Sequence, residues 1–362
     1  MHAHHSAALL AFTLVACRAP SPVPKEAAFD FDARATPTPD SFSKEADLLS
    51  RWNDSRADSL RAFWNSGEAG TFKGADGFNV AYRIHRVPNA KAAVVLVPGR
   101  TEAIIKFAEV AADLVAQGYS TYALTLRGQG EAARLLSDHD KGYVAWFDDY
   151  VTDTHRFITE VVRPEQPRVF MLAHSLGAGV ATALNDEHPG DVQALAMTSP
   201  MLDINLGAFP PPVAATLAGG ICDATDGTGY AIGSGPYAEE TDFPNNDVTH
   251  SQERWTWKVQ QLKDDETIRL GGITWRWLCQ ALTGSSHAQQ SGRFSSTPTV
   301  LFQAGLDTIV KPDGQTKYCA EAPRCTLSRI DEGRHELLQE RDELRNLVLS
   351  RVVKFFDAQV TP

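Results

Sequence analysis

Val169-Phe-Met-Leu-Ala-His-Ser-Leu-Gly-Ala-Gly179 decides the fold of this chain. An apolar, strand-like run ends in Ala-His-Ser-Leu-Gly, and a helix start built from small residues follows. This is the layout of a nucleophile elbow, a sharp turn that lifts one serine hydroxyl above the end of a parallel sheet. Ala173 and Gly177 flank Ser175 at two residues on either side, and small side chains there let strand and helix backbones approach. The pattern gains weight if an acid and a histidine follow at later strand ends.

Working outward, strands and helices alternate on both sides of the elbow. Thr71-Phe72, Gly74-Ala-Asp-Gly77 and residues 79–87 read as a β-hairpin. Strands are expected over 92–97, 120–126, 168–173 and 192–198, with helices over 104–117, 146–162 and 176–188 between and after them. The rhythm breaks at Pro200 and resumes with strands at 298–303 and 326–330 and a closing helix at 337–358. Such alternation means an α/β fold with a mostly parallel central sheet covered by helices on both faces. The interruption, residues 201–295, carries Phe209-Pro-Pro-Pro212, a Gly/Asp-rich run over 219–235 and four of the seven tryptophans: Trp255, Trp257, Trp275 and Trp277. It reads as a cap laid over the strand ends. Tryptophans at helical spacing are expected in the cap core before they are expected as ligand walls. The core is then split into residues 41–200, which include an N-terminal helical segment with Leu48, Leu49, Trp52, Leu60, Phe63 and Trp64, and residues 296–362.

The 362 residues suffice for one large domain with an insertion. A hydrophobic content of 43% and a charged content of 22% are those of an ordinary globular chain. The net charge of -11 disfavours nucleic acid as a partner, because phosphate binding needs basic stripes.

Residues 1–16 read as an export signal. The apolar run at 7–16 is too short to span a bilayer as a mature helix, and the preceding residues include His2, His4 and His5 but no Lys or Arg. It ends in Leu14-Val15-Ala16-Cys17, which resembles the lipobox of bacterial lipoproteins, in which the cysteine becomes the lipidated first residue; an ordinary secretory peptide is the alternative. Two or more acyl chains give stable membrane anchoring. The expectation is an exported lipoprotein tethered through residues 17–40, and the absence of Asp after Cys17 points to the outer membrane of a Gram-negative cell. Removing Cys17 leaves Cys222, Cys279, Cys319 and Cys325, an even number consistent with two disulfides in an exported protein and compatible with three connectivities. Proximity pairs Cys319 with Cys325 and leaves Cys222 with Cys279. No Cys-x-x-Cys pair suggests a metal site, and no metal or organic cofactor is expected.

Serine acyl transfer needs a base for the hydroxyl proton, an acid to orient the base, and donors for the oxyanion. In elbow-bearing sheets the order along the chain is Ser, then Asp or Glu, then His. Asp307, in Phe302-Gln-Ala-Gly-Leu-Asp307, and His335, in Asp331-Glu-Gly-Arg-His335, each follow a late strand. Both are therefore expected at the same sheet edge as Ser175, where ligands bind. Asp203 is the rival acid. Among the other histidines, His174 is expected to support the elbow, and His139 and His250 lie in polar loops. The oxyanion donors are expected to be the backbone N–H groups of Leu176 and of Arg100 in Pro98-Gly-Arg-Thr-Glu102, with Thr101 as alternative to Arg100.

Several segments carry a family resemblance: Gly99-Arg-Thr-Glu102, Arg127-Gly-Gln-Gly130, Lys141-Gly-Tyr-Val-Ala-Trp-Phe-Asp-Asp-Tyr150, Ala173-His-Ser-Leu-Gly177, Ser199-Pro-Met201, Val248-Thr-His-Ser251, Gly271-Gly-Ile-Thr-Trp275 and the Asp307 and His335 segments. Together they resemble the bacterial lysophospholipases and monoacylglycerol lipases of the α/β-hydrolase superfamily, over about residues 63–356. The pieces 141–150 and 249–251 favour the lysophospholipase branch, and the lipobox start is similar to that of surface lipoprotein lysophospholipases. The sequence departs from these relatives at Pro98, where His is usual, at Thr125, where Asp is common, and at Ala173, where the elbow usually has Gly. The resemblance implies a serine esterase acting on single-chain lipids, lysophospholipid first and monoacylglycerol second. A proline-type aminopeptidase would need a pocket acid for the substrate amine, for which Glu239, Glu240 and Asp242 are candidates. A non-catalytic binding lipoprotein is the remaining class. Dehalogenases and epoxide hydrolases are disfavoured because they resemble enzymes with Asp as nucleophile.

Overall fold

The structure, a computed structural model, describes residues 25–46, 57–207 and 211–360. The expected signal segment and Cys17 lie outside these residues, as do Leu48, Leu49, Trp52 and Phe209. Among the described residues no helix is long and apolar enough to cross a membrane.

Eight strands form one sheet in the order β1-β2-β4-β3-β5-β6-β7-β8. β1 (Glu68–Lys73) and β2 (Asn79–His85) make the expected antiparallel hairpin, and β2 runs antiparallel to β4 (Ser120–Leu124). β3 (Ala93–Val97), β5 (Val169–His174), β6 (Ala194–Thr198), β7 (Thr299–Ala304) and β8 (Cys325–Ile330) continue it in parallel with β4. Every residue of β3, β5 and β6 is buried, because helices cover both faces.

The two-residue period of a strand divides the core in two. Val95, Val97, Met171 and Ala173 point into one half, which holds residues of α3 (Asp148–Arg156, continued by a π-helical turn Phe157–Val162) and α4 (Leu176–Glu187). Val94, Leu96, Phe170 and Leu172 point into the other. That half holds residues of α1 (Ala57–Ser66), α2 (Ala108–Ala116) and the closing helix α9 (Asp342–Val360), whose Val348, Leu349, Val352, Val353, Phe355 and Phe356 form one buried stripe. The fold expectation is therefore met: this is an α/β-hydrolase sheet.

The insertion contains α5 (Pro211–Ala224), α6 (Gln252–Asp264) and α7 (Trp275–Ser291), and α8 (Pro312–Glu321) follows β7. Ser251 and Thr274 cap α6 and α7 by accepting the Arg254 and Trp277 amides at 3.1 and 3.2 Å. Trp255, Trp257 and Trp277 are buried, as expected for core residues. Trp277 and Ala281 join the sheet core, so α7 is part of the covering layer as well as of the cap. Residues 141–150 form the seam beneath it. Gly142 bonds Gly272 and Thr274 through its backbone, at 2.9 Å each, and the Phe147 ring lies where a side chain at Gly284 would stand. Arg127 is buried and forks onto Asp153 at 2.7 Å while also reaching Asp149 at 3.0 Å, which fixes the 127–130 turn on α3.

Disulfides join Cys222 to Cys279, tying α5 to α7, and Cys319 to Cys325, tying α8 to β8. One expectation is corrected. Residues 25–40 do not form a free tether but lie along the body. Lys25 donates to the carbonyls of Cys319, Ala322 and Cys325, and Phe29 packs edge-on against Phe355. Phe31 adds a tilted contact with Phe302. A Pro/Ala-rich run reads as a spacer, but two phenylalanines provide enough apolar area to dock it.

Candidate active site

Ser175 sits between β5 and α4 with φ 49° and ψ -114°. A non-glycine residue held in this region is strained, and the packing around it must hold it there. A Cβ at Gly177 would stand 2.5 Å from the Pro98 carbonyl oxygen, so only glycine fits after the turn. Ala173 is in register with Val97 and Met197 inside the sheet, where its methyl is accommodated.

The structure brings together the three side chains expected at the strand ends. His335 Nε2 lies 3.0 Å from Ser175 Oγ, and His335 Nδ1 lies 2.8 Å from Asp307 Oδ2. The other Asp307 oxygen accepts the Ile309 and Val310 amides at 2.8 and 3.0 Å, so the carboxylate cannot swing away. Ser175, Asp307 and His335 are all buried at the side chain. Asp203, the rival acid, has no hydrogen bond to His335; burial raises its carboxyl pKa. Ser199 Oγ donates to the His335 carbonyl at 2.7 Å and holds the histidine loop. Glu340, fully buried in the same loop, accepts the Arg334 amide at 2.9 Å and the His250 amide at 3.1 Å, which ties the cap to that loop.

Leu176 opens α4, and the first amides of a helix have no intrahelical partner, which leaves its N–H free of the helix ladder. Across from it, the 98–102 loop is held from two sides. Gln129 Nε2 donates to the carbonyls of Gly99 and Glu102 at 2.7 and 3.0 Å, and Gln129 Oε1 accepts the Thr101 amide at 3.3 Å. The Thr101 amide is thus engaged, which favours Arg100 as second donor. Glu102 accepts the Gly99 amide at 2.5 Å. A Cβ at Gly99 would lie 3.2 Å from Ser175 Cβ, so loop and elbow touch, and Pro98 does not prevent that approach.

Behind the catalytic edge lies a buried ionic group that the sequence reading did not find. Lys106 bridges Glu102 at 2.5 Å and Glu336 at 2.7 Å. The lysine holds the Glu336 carboxyl down at about 2 and the Glu102 carboxyl below its ordinary value. His174 packs its ring 4.9 Å from that of His335, with Nδ1 3.1 Å from Thr198 Oγ1. Burial pushes its pKa down to about 4, which favours the neutral ring beside the elbow. A cavity of about 400 Å³ opens beside this group, between the 100–106 loop and cap residues that include Tyr237, Trp257 and Leu270.

Among the described residues one group has ligand atoms close enough for a metal ion, His155, His188 and Asp191. It lies beyond the far end of α4 from Ser175. Asp191 is already spent on His155 at 2.6 Å and Arg163 at 3.1 Å, and the two imidazoles stack 3.8 Å apart nearly in parallel. In-plane lone pairs on stacked rings do not converge on one ion, so this group is a poor metal site.

Residues 88–342 match the family described as serine aminopeptidase, S33. The chain belongs to this S33 family. The chain is similar to lysophospholipase L2 of Escherichia coli K12, 32% identical over 312 residues that cover 84% of this chain and 91% of that protein. It is also similar to the probable lysophospholipase L2 of Haemophilus influenzae, 28% identical over 79% of this chain and 91% of that protein. In fold, this S33 member resembles a soluble variant of monoglyceride lipase from Saccharomyces cerevisiae crystallised with a substrate analog, with a TM-score of 0.65 at 16% identity over 82% of this chain and 96% of that one.

Proposed function

We propose that this protein hydrolyses carboxylic esters of single-chain lipids, lysophospholipids first, through an acyl-enzyme on Ser175. The observation that carries this reading is the hydrogen-bonded chain Ser175–His335–Asp307 beneath the cap. His335 Nε2 takes the Ser175 proton as the oxygen attacks the ester carbonyl, and Asp307 holds the imidazole in register. The Arg100 and Leu176 amides receive the oxyanion. His335 then gives its proton to the departing glycerol oxygen. A water molecule, deprotonated by His335, attacks the acyl carbonyl; the fatty acid leaves and the proton returns to Ser175.

The choice of lipid ester is supported by the similarity to lysophospholipase L2 over most of both chains. Aminopeptidase action finds less support. Glu239 and Glu240 are paired with Lys263 and Lys258 at 2.7 Å, and Asp242 accepts from the Asn245 side-chain Nδ2 at 2.6 Å, so the cap acids are engaged rather than open to a substrate amine.

The test is release of fatty acid from lysophospholipid and monoacylglycerol, with an aminoacyl-amide panel alongside. Ser175→Ala should lower turnover by about 10⁶. Near-normal hydrolysis by that variant would end the reading. Membrane anchoring through Cys17 is part of the same proposal and rests on the Leu14-Val15-Ala16-Cys17 sequence. Cys17→Ser should move the protein from the outer-membrane fraction to the soluble one; unchanged fractionation would remove the lipid anchor from the account.

A further inference from the structure

Of the three cationic side chains that line the cavity, two are neutralised. Lys106 is shared by Glu102 and Glu336, and Lys258 pairs with Glu240 at 2.7 Å. The third, Arg100, has no carboxylate partner among the described residues. Its guanidinium makes one long contact, Nη1 to the Gly271 carbonyl at 3.5 Å, and lies over the Trp277 ring at 5.5 Å. Trp277 is itself fixed by a 3.3 Å bond from its indole N–H to the Tyr150 hydroxyl. None of the remaining donors of this half-buried arginine is sealed off without a partner; the side chain lines the cavity, where an anion can take them up. Burial also pulls its pKa below the ordinary value, as it does for a cation short of counter-charge.

The position of this charge is informative. In the ester-hydrolase reading the Arg100 amide is an oxyanion donor, and six bonds separate that amide nitrogen from the guanidinium carbon. Six bonds also separate the ester carbonyl carbon of a 1-acyl lysophospholipid from its phosphorus. A planar guanidinium presents paired donors that match phosphate oxygens. We propose that the Arg100 side chain binds the phosphate of the lysophospholipid headgroup and selects phospholipid-derived esters over neutral monoacylglycerols. The proposal rests on the ester-hydrolase reading above and names the group that would decide its substrate.

The experiment compares lysophosphatidylglycerol and monoacylglycerol with the same short acyl chain, both below their micelle concentrations. In Arg100→Gln, kcat/KM should fall at least about tenfold further for the lysophospholipid than for the monoacylglycerol, mainly through KM. Arg100→Lys should recover part of that difference. A loss shared by both substrates reports the oxyanion loop, so the ratio isolates the guanidinium. An equal loss on the two substrates, or none on either, overturns the phosphate site and leaves the ester-hydrolase reading intact. Hydrolysis of neither lipid by the unaltered protein overturns that reading and this inference with it. A measurement on the unaltered protein guards against a variant that fails to fold. sn-Glycerol 3-phosphate should raise the apparent KM for p-nitrophenyl butyrate severalfold, and glycerol at the same concentration should not. Equal effects of the two also overturn the site.

Discussion

The Gln129 side chain donates to the Gly99 carbonyl at 2.7 Å, across the gap between the 127–130 turn and the loop that faces Ser175. The same amide reaches the Glu102 carbonyl, and its oxygen accepts the Thr101 amide. Thr101 has φ 64°, a backbone geometry that a β-branched residue adopts only under constraint. Gln129 supplies that constraint. It touches no reacting atom and acts by holding the Arg100 amide in place.

Gln129→Leu should therefore lower kcat with little change in KM. Outright loss of an oxyanion donor costs about 10²–10³ in turnover, so a loosened donor should cost roughly 10–10². Steady-state kinetics on a soluble ester checks the split. A change confined to KM would mean that the loop does not report to the oxyanion.

The assignment of the acid gives a paired test. Asp307→Asn keeps the shape beside His335 but removes the charge, and should lower kcat by about 10⁴. Asp203→Asn should leave kcat within about twofold, because Asp203 has no bond to His335 and surface-near changes of this kind have small effects. The reverse ranking would exchange the two roles.

Lys106 holds two buried carboxylates apart. Lys106→Met leaves Glu102 and Glu336 facing one another without a cation, and should destabilise the protein by about 3–5 kcal/mol at neutral pH. The pH dependence has a definite sign. Both carboxyls are depressed in the folded state, Glu336 to about 2. Their contribution is therefore present above the ordinary carboxyl value near 4.5 and is lost as pH falls towards 2. The stability gap between the unaltered protein and the variant should narrow over that window. Thermal melts at pH 7, 4.5 and 3 check this, and a gap that stays constant would refute it.

What could be read from the chain and what could not divide along sequence distance. Ser175 was legible because the elbow is local: two small residues and a strand-to-helix switch lie within a few positions of it. Asp307 and His335 were legible because each follows its own strand, and a parallel sheet puts all such ends on one edge. The supports of the site were not. Gln129 reaches Gly99 across 30 residues, Ser199 reaches His335 across 136, and Arg254 of the cap pairs with Glu109 across 145. No period or spacing marks a side chain whose partner is that remote. The docking of residues 25–40 was missed for a related reason. Composition describes a segment alone, and Phe29 and Phe31 matter only because Phe355 and Phe302 meet them.

His174 gives the last prediction. Its ring is packed against His335 and faces Glu102, with Lys106 and Glu336 in the same buried group. Burial outweighs the pull of the carboxylates and lowers its folded pKa to about 4, against 6.5 in the unfolded chain. With a depressed histidine, the unfolded state takes up the proton first as pH falls. Stability is then fully present above 6.5 and is lost progressively down to about 4. The loss should be roughly 3 kcal/mol across the window. His174→Gln removes the titrating ring and should flatten this limb of the stability curve, while the limb below 4.5 that belongs to Glu102 and Glu336 remains. Calorimetric melts of both proteins between pH 7.5 and 4 separate the two. If the variant keeps the slope of the unaltered protein, another group carries it, and the His174 ring is not held below its ordinary pKa in the folded state.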